Sequence, residues 1–150
     1  MKQHEIKKKH PLLDSSGHLI EAGYSKKLIL DYHPSMVKAP KWRIKEWDYY
    51  FVGNADYGVA LTLADNRYMG VCGLIFFDFK KQIKYDYSNF FFFPFGKLNM
   101  PNRSLEKEIK YANKGVELSF LYHEDHIALE GKSTDKDGNV LIKVELELTP

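Results

Sequence analysis

Apolar and polar residues alternate with a period of two along much of this chain, and the clearest case lies near its C-terminus. The apolar members there are Val140, Ile142, Val144, Leu146 and Leu148, and mostly polar residues stand between them. Successive side chains of a β-strand point to opposite faces, so this pattern predicts a strand with one buried face. A helix of the same length would place this apolar set on more than one side.

Further stretches of the chain carry strand or turn signals. Residues 116–123 alternate in the same way, and a turn at 124–125 leads into another strand. The cluster Asp-Lys-Asp-Gly-Asn at 135–139 predicts the next hairpin turn. Residues 57–64 and 68–79 predict two more strands upstream.

Two glycines interrupt the second of these upstream strands. Gly70 and Gly73 break its row of side chains, which predicts either a β-bulge or a close approach of another group to the backbone. Residues 94–101, with a proline at each end, are predicted to form the longest loop. Residues 105–112 fit one short helical turn or one more strand.

The fold class predicted from this pattern is all-β. Short strands separated by turn signals indicate an antiparallel meander that forms a barrel or a strongly curved sheet. A chain of 150 residues with 44% hydrophobic content is long enough for one domain with a core. We therefore expect a single β domain over residues 1–150, with residues 1–16 as a partly extended tail.

Charge and targeting signals narrow the class of protein. The net charge of +2 comes from 22 basic and 20 acidic residues spread along the chain, so no global field attracts nucleic acid or an acidic membrane. The basic run at 7–10 fits a solvated tail. Nothing at the N-terminus resembles a signal peptide, and the longest apolar stretch, residues 90–95, is too short to span a bilayer. A cytoplasmic protein that binds no nucleic acid is predicted.

The cysteine and histidine residues give little information about function. Cys72 is the single cysteine, so no internal disulfide can form, and we interpret it as a small core residue. The run from His123 to His126 suggests a metal, but the two side chains are expected to point apart and no third ligand follows at a recognisable spacing. No phosphate-binding glycine loop and no Gly-x-Ser-x-Gly elbow is present. Neither a metal nor a cofactor is predicted.

Residues 43–53 combine charges with large aromatic side chains and are read as one strand. Alternation places Trp42 and Ile44 on the same face as Glu46, Asp48 and Tyr50. The predicted ligand-binding residues of the segment are Arg43, Lys45, Trp47, Tyr49 and Tyr50. A mixed lining of this kind suits a binding cavity, and it is equally typical of a strand half in solvent.

Two carboxylates of this strand are candidate catalytic groups. Glu46 and Asp48 share one face about 7 Å apart, which suits general acid and base roles on either side of a small group. The structural alternative is that they form ion pairs with Arg43, Lys45 or a lysine of a neighbouring strand.

Several segments resemble one protein family. Residues 11–19 (Pro-Leu-Leu-Asp-Ser-Ser-Gly-His-Leu), 23–25 (Gly-Tyr-Ser) and 43–50 (Arg-Ile-Lys-Glu-Trp-Asp-Tyr-Tyr) are similar to the N-terminal part of the DUF2804 family. Residues 60–65, followed by Tyr68 and Gly70, resemble its next stretch. The octet at 43–50 is the specific part of this likeness.

The resemblance implies a fold more directly than a function. The family's pattern looks distantly like calycin-type, lipocalin-like two-barrel proteins, among them carotenoid hydratases and cyclases of hydrophobic substrates. Its members are roughly twice as long as this chain, which stops soon after a strong strand. The resemblance therefore implies the N-terminal half of a longer architecture, or else a short relative.

Consecutive aromatic residues at 90–95 must point to both faces of an extended segment, so the rings on one face must be shielded from water by another group. That group is a hydrophobic ligand, a second half-domain or a second subunit in a homo-oligomer. Three classes of function follow. Binding of a hydrophobic small molecule or lipid comes first, an enzyme acting on a hydrophobic substrate through Glu46 or Asp48 second, and an interaction module that completes a sheet with another chain third.

Overall fold

The computed structural model describes residues 3–102 and 108–149, which fall into two compact units, Met1–Pro40 and Lys41–Pro150. In the first unit, strand β1 (His10–Pro11) pairs in parallel with β2 (Leu30–Asp31). A 3-10 helix, Pro34–Met36, follows. Residues predicted to be a tail take part in this unit, because Ile6 is buried there.

The second unit contains a five-stranded antiparallel sheet, the first sheet. Its strands are β3 (Glu46–Gly53), β4 (Tyr57–Asp65), β5 (Met69–Asp78), β6 (Ile83–Asp86) and β7 (Asn89–Phe92). They lie in the order β3-β4-β5, and β6 and β7 both pair with β5.

The strand predicted to begin at Arg43 begins later. Lys41–Arg43 form a 3-10 helix after Pro40, and the backbone N–H of Ile44 donates to the carbonyl of Lys41 (3.2 Å). This turn replaces the extended chain that alternation requires. Arg43 is therefore not part of the strand face to which it was assigned, whereas Glu46 and the residues after it are in the strand.

A four-stranded antiparallel meander, the second sheet, completes the unit. It consists of β8 (Ile109–Asn113), β9 (Val116–Tyr122), β10 (Ile127–Thr134) and β11 (Val140–Leu148) in sequential order. Lys114 and Gly115 have positive φ angles (46° and 81°), as a two-residue type I′ hairpin requires. The predicted turn before β11 is also present, where Asp135 Oδ1 accepts the backbone N–H of Asn139 at 2.9 Å.

The inward faces of the two sheets form the core. Leu61 and Leu74 from the first sheet and Phe120 and Leu129 from the second are fully buried. Close packing depends on Gly131, because a Cβ atom there would lie 3.1 Å from Leu61 Cδ2 and 3.3 Å from Leu74 Cδ1. The prediction of an all-β fold is confirmed: among the described residues, the first unit has a two-stranded sheet and the second unit has two larger, open sheets.

The glycine signal in β5 marks a close approach. The register with β4 runs without a shift past Gly70 and Gly73, so β5 has no bulge there. A Cβ on Gly70 would lie 2.1 Å from Cζ of Phe91, whose ring covers the glycine. Residues 105–107, part of the stretch predicted as a helical turn or a strand, lie outside the described residues. The remainder of that stretch enters β8.

In the part of the chain that the structure describes, no helix has the length and apolar content needed to cross a membrane.

Candidate functional site

Strand β3 separates the predicted site residues onto two faces of the first sheet. Glu46, Asp48 and Tyr50 point inward, whereas Trp47 and Tyr49 point outward and are 62% and 55% exposed. Arg43 and Lys45 are exposed and precede the strand. The two outward aromatic side chains therefore do not share a surface with Tyr50.

Glu46 forms an ion pair with the guanidinium of Arg67, and both side chains are less than a fifth exposed. The carboxylate of Asp65, the last residue of β4, supports this arrangement, because it accepts the backbone N–H groups of Arg67 (2.9 Å) and Gly96 (2.7 Å). The pair with Arg67 makes Glu46 a structural group. Arg67 was not among the predicted site residues, because the sequence does not show which strand end the turn between β4 and β5 meets.

Asp48 has a different environment. Its Oδ2 atom is buried and has no hydrogen-bond partner among the described residues. Burial raises the pKa of this carboxyl above its usual range, because water no longer stabilises the charged form. Of the two predicted catalytic carboxyls, Asp48 is the one whose surroundings favour holding a proton.

Two tyrosines connect the sheets close to Asp48. The hydroxyl groups of Tyr50 and Tyr122 are hydrogen-bonded at 2.9 Å, and the ring of Tyr50 meets Phe120 edge-on with centroids 5.1 Å apart. Burial is the main cause that raises the pKa of both tyrosines, and the charge of Asp48 adds to it. We call Asp48, Tyr50 and Tyr122 the acid–tyrosine cluster.

Tyr122 was not among the predicted site residues. Alternation identified it as the last inward position of β9, but did not show which group of the other sheet it meets. The contact joins positions 72 residues apart in the chain.

A cleft of about 240 Å³ opens between the sheets where β7 and β8 lie. Its lining is mainly apolar and consists of Leu63, Phe91, Pro94, Lys97, Leu98, Ile109, Lys110 and Tyr111. Phe91 from the first sheet stacks on Tyr111 from the second, with ring centroids 4.8 Å apart. We call this space the inter-sheet cleft.

Two lysines of the inter-sheet cleft are exposed, so they lie at its rim. Lys110 is paired with Glu108, whereas Lys97 forms no ion pair with a described residue. The hydroxyl of Tyr111 adds a polar group whose pKa is raised, mainly by burial. The sequence pointed to the aromatic run at 90–95 as a wall, and missed Leu98 and Ile109 because they meet it only through the packing of two sheets.

A second depression, of about 600 Å³, lies on the outer face of the second sheet and is rich in charges. Its acidic and basic side chains largely neutralise one another. Lys132 pairs with Glu117 at 3.4 Å, and Lys143 pairs with Glu145 at 2.5 Å. Such pairs are common on solvated strand faces.

The histidine and cysteine candidates also take definite positions. The rings of His123 and His126 stack with centroids 4.3 Å apart, so the expectation that they point apart is wrong. Asp125 Oδ1 lies 2.7 Å from Nδ1 of His126. In the described ranges no three His, Cys, Asp or Glu side chains come close enough to hold a metal ion. Cys72 is fully buried, and burial raises the pKa of its thiol to about 12.

Comparison with known proteins gives one match. The model of the family described as a domain of unknown function (DUF2804) matches residues 3–150. No curated protein and no solved structure matches the chain.

Proposed function

Because the chain belongs to the DUF2804 family, a domain of unknown function, we propose from its own geometry that it binds a small hydrophobic acid. The proposed site is the inter-sheet cleft, and the ligand class is a medium-chain carboxylic acid. The observation that carries this proposal is an apolar space between two sheets with a lysine at its rim, Lys97, that forms no ion pair with a described residue. Sites for small ligands are usually concave and apolar with a few polar groups.

Size and charge define the ligand class. Pockets for drug-sized ligands hold roughly 300–1,000 Å³, so a cleft of about 240 Å³ suits a smaller molecule. Leu98 and Ile109 offer contact to an aliphatic chain, and Lys97 offers a cation to a carboxylate. A relationship to calycin-type proteins stays a prediction, and binding of a hydrophobic ligand would fit it.

Calorimetric titration with decanoate tests the proposal. Leu98→Trp fills the cleft and is expected to weaken binding at least tenfold. Leu121→Trp is the matched control, because Leu121 is half-buried on β9 and does not line the cleft. Equal affinity of the two variants for decanoate would show that the ligand does not enter the cleft.

A second pair of variants tests the recognition of the carboxylate. Lys97→Met keeps the aliphatic stem and removes the charge, and Lys136→Met makes the same change at an exposed hairpin position. Exposed ion pairs contribute about 0.2–1 kcal/mol, so Lys97→Met is expected to weaken decanoate binding by up to about fivefold. Binding of decanol should stay unchanged, and a similar loss for decanol would contradict the role of the charge.

The second candidate function is proton transfer to or from a hydrophobic substrate. The observation in its favour is the buried Oδ2 atom of Asp48, which has no hydrogen-bond partner among the described residues and lies close to the hydrogen-bonded pair Tyr50 and Tyr122. A carboxyl with a raised pKa can act as general acid, with a tyrosine as a further donor. Glu46 is paired with Arg67, so Asp48 takes the role first considered for both carboxyls.

Mass spectrometry of a lipid extract incubated with the protein tests this candidate. A product that appears with the unchanged protein and disappears with Asp48→Asn is expected. Tyr49→Phe, on the outward face of the same strand, is the control. A product profile that does not change with Asp48→Asn would exclude proton transfer by this carboxyl.

A further inference from the structure

We propose that one end of the first sheet docks on an anionic lipid bilayer through a group of exposed aromatic rings. The rings lie at the end of the sheet where β3 begins and β7 ends, because the register places Trp47, Ala64, Val71 and Phe90 in one row. We call this group the aromatic tip. Its members are Trp47, Phe90, Phe92, Phe93 and Phe95.

The aromatic tip faces water although its chemistry is apolar. Phe92 is 74% exposed, and more than half of the surface of each of the other four side chains is exposed. Residues 90–95 contain no polar side chain. An exposed apolar group of this extent usually marks a contact with another molecule or with a membrane.

Hydrogen bonds hold the tip in place. The backbone N–H of Phe93 donates to the carbonyl of Tyr68 (3.0 Å), and that of Phe95 donates to the carbonyl of Arg67 (3.1 Å). The rings of Phe93 and Phe95 stack on each other, with centroids 5.5 Å apart. These bonds tie the segment to the turn between β4 and β5, so the rings are presented outward by a fixed backbone.

The backbone of this segment is also strained. Phe93 and Phe95 have φ angles of 58° and 51°, in the left-handed region that bulky side chains rarely adopt. Residues held in such conformations cluster at binding sites, because the surrounding structure must keep them there. Glycine would relieve this strain, and the chain carries phenylalanine at both positions.

Four cations lie next to the tip in the sequence and favour an anionic partner. Lys41, Arg43 and Lys45 precede β3, and Lys97 follows the tip. None of them forms an ion pair with a described residue, and residues 41–45 and 90–97 contain no carboxylate. A net charge of +2 for the whole chain does not reveal this local excess.

This combination fits an anionic bilayer better than a second copy of the chain. Tryptophan is enriched at membrane interfaces, and phenylalanine inserts into the boundary between headgroups and acyl chains. Each cation near such a surface strengthens binding about fivefold. In a symmetric dimer through the tip, the four cations of one copy would face those of the other, which opposes self-association.

Co-sedimentation of the 150-residue protein with lipid vesicles tests the proposal. We expect binding to vesicles of phosphatidylcholine mixed with phosphatidylglycerol that is at least tenfold stronger than to phosphatidylcholine alone, and that weakens as salt is added. The triple change Phe92→Ser, Phe93→Ser and Phe95→Ser should reduce it tenfold or more. The control is Val140→Ser with Leu141→Ser, which removes exposed apolar side chains elsewhere in the unit.

Charge variants keep the test valid if the serine variant fails to fold. Arg43→Glu with Lys45→Glu should weaken binding to anionic vesicles at least tenfold, whereas Lys114→Glu with Lys136→Glu, at two exposed hairpin positions, should change it less than threefold. Equal losses in the two double variants would overturn docking through the tip, as would equal binding to neutral and anionic vesicles or no binding to either.

Two further results separate this proposal from the others. Leu98→Trp should lose decanoate and keep vesicle binding, because docking does not depend on the inter-sheet cleft. Loss of vesicle binding in that variant, with retention in the serine variant, would overturn the tip as the docking surface. A dimer that dissociates in the serine variant, seen by analytical ultracentrifugation, would assign the tip to a second copy and overturn the proposal.

Discussion

The hydrogen bond between Tyr50 and Tyr122 is expected to stabilise the contact between the two sheets as a coupled pair. Tyr122→Phe removes one hydroxyl and leaves the other without its partner in a half-buried place. Leaving a polar group unpaired costs about 1–3 kcal/mol, and partial access of water moves the value to the lower end, about 1 kcal/mol. Tyr50→Phe should cost a similar amount.

The double variant distinguishes a direct bond from two separate effects. Removing both hydroxyls leaves nothing unpaired, so Tyr50→Phe with Tyr122→Phe should be nearly neutral. The expected coupling free energy is therefore about 2 kcal/mol. Two side chains that acted independently would have additive effects, within roughly 0.3–0.5 kcal/mol.

Urea unfolding followed by circular dichroism gives the free energy of unfolding of the four proteins in this double-mutant cycle: the unchanged protein, the two single variants and the double variant. If the unfolding transition followed by fluorescence coincides with the one followed by circular dichroism, a two-state free energy of unfolding is justified for each protein. Tyr49→Phe serves as control, since its ring lies on the exposed face of β3 and the expected change is below about 0.5 kcal/mol. Additive losses in the double variant would refute the reasoning that the two hydroxyls bond across the sheets.

Three further changes test the packing around these strands. The fold raises the pKa of Asp48 above 3.8, so the contribution of Asp48 to stability should fall as the pH rises from 3.8 to the folded pKa. Urea unfolding at several pH values should show this fall in the unchanged protein and not in Asp48→Asn. Gly70→Ala must displace the ring of Phe91 and should cost about 1–3 kcal/mol in thermal unfolding, more than Gly73→Ala, whose nearest contact would be 3.2 Å. Cys72 should react with a thiol reagent only after unfolding, and rapid labelling of the native chain would contradict its burial.

Local pattern was enough to predict much of the second sheet. The alternating residues of β11 and the turn at Asp135 lie within one short stretch, so the sequence pattern spans the same residues as the elements that it predicts. The hairpin at Gly115 was not predicted, although its two positive φ angles satisfy a local rule. Neighbouring residues decide such elements, and distant packing does not need to be known.

The candidate site could not be predicted to the same extent, because its contacts join distant parts of the chain. Alternation placed Asp48 and Tyr50 on one face correctly, but the partner Tyr122 lies 72 residues away. Arg67 could not be assigned to Glu46, since the pairing depends on where β4 ends relative to β3. The 3-10 helix at Lys41–Arg43 was missed because the charges there also fit an extended strand.

One edge of the first sheet is divided between two short strands. The residues of β6 and β7 pair with different halves of β5, and each strand contains four residues. Tyr87, between them, donates its backbone N–H to the carbonyl of Leu74 at 2.9 Å. Fibril growth requires a long and flat ladder of free backbone groups. An incoming chain meets two short ladders along this edge. The edge is therefore less prone to amyloid formation, although β7 is rich in aromatic residues.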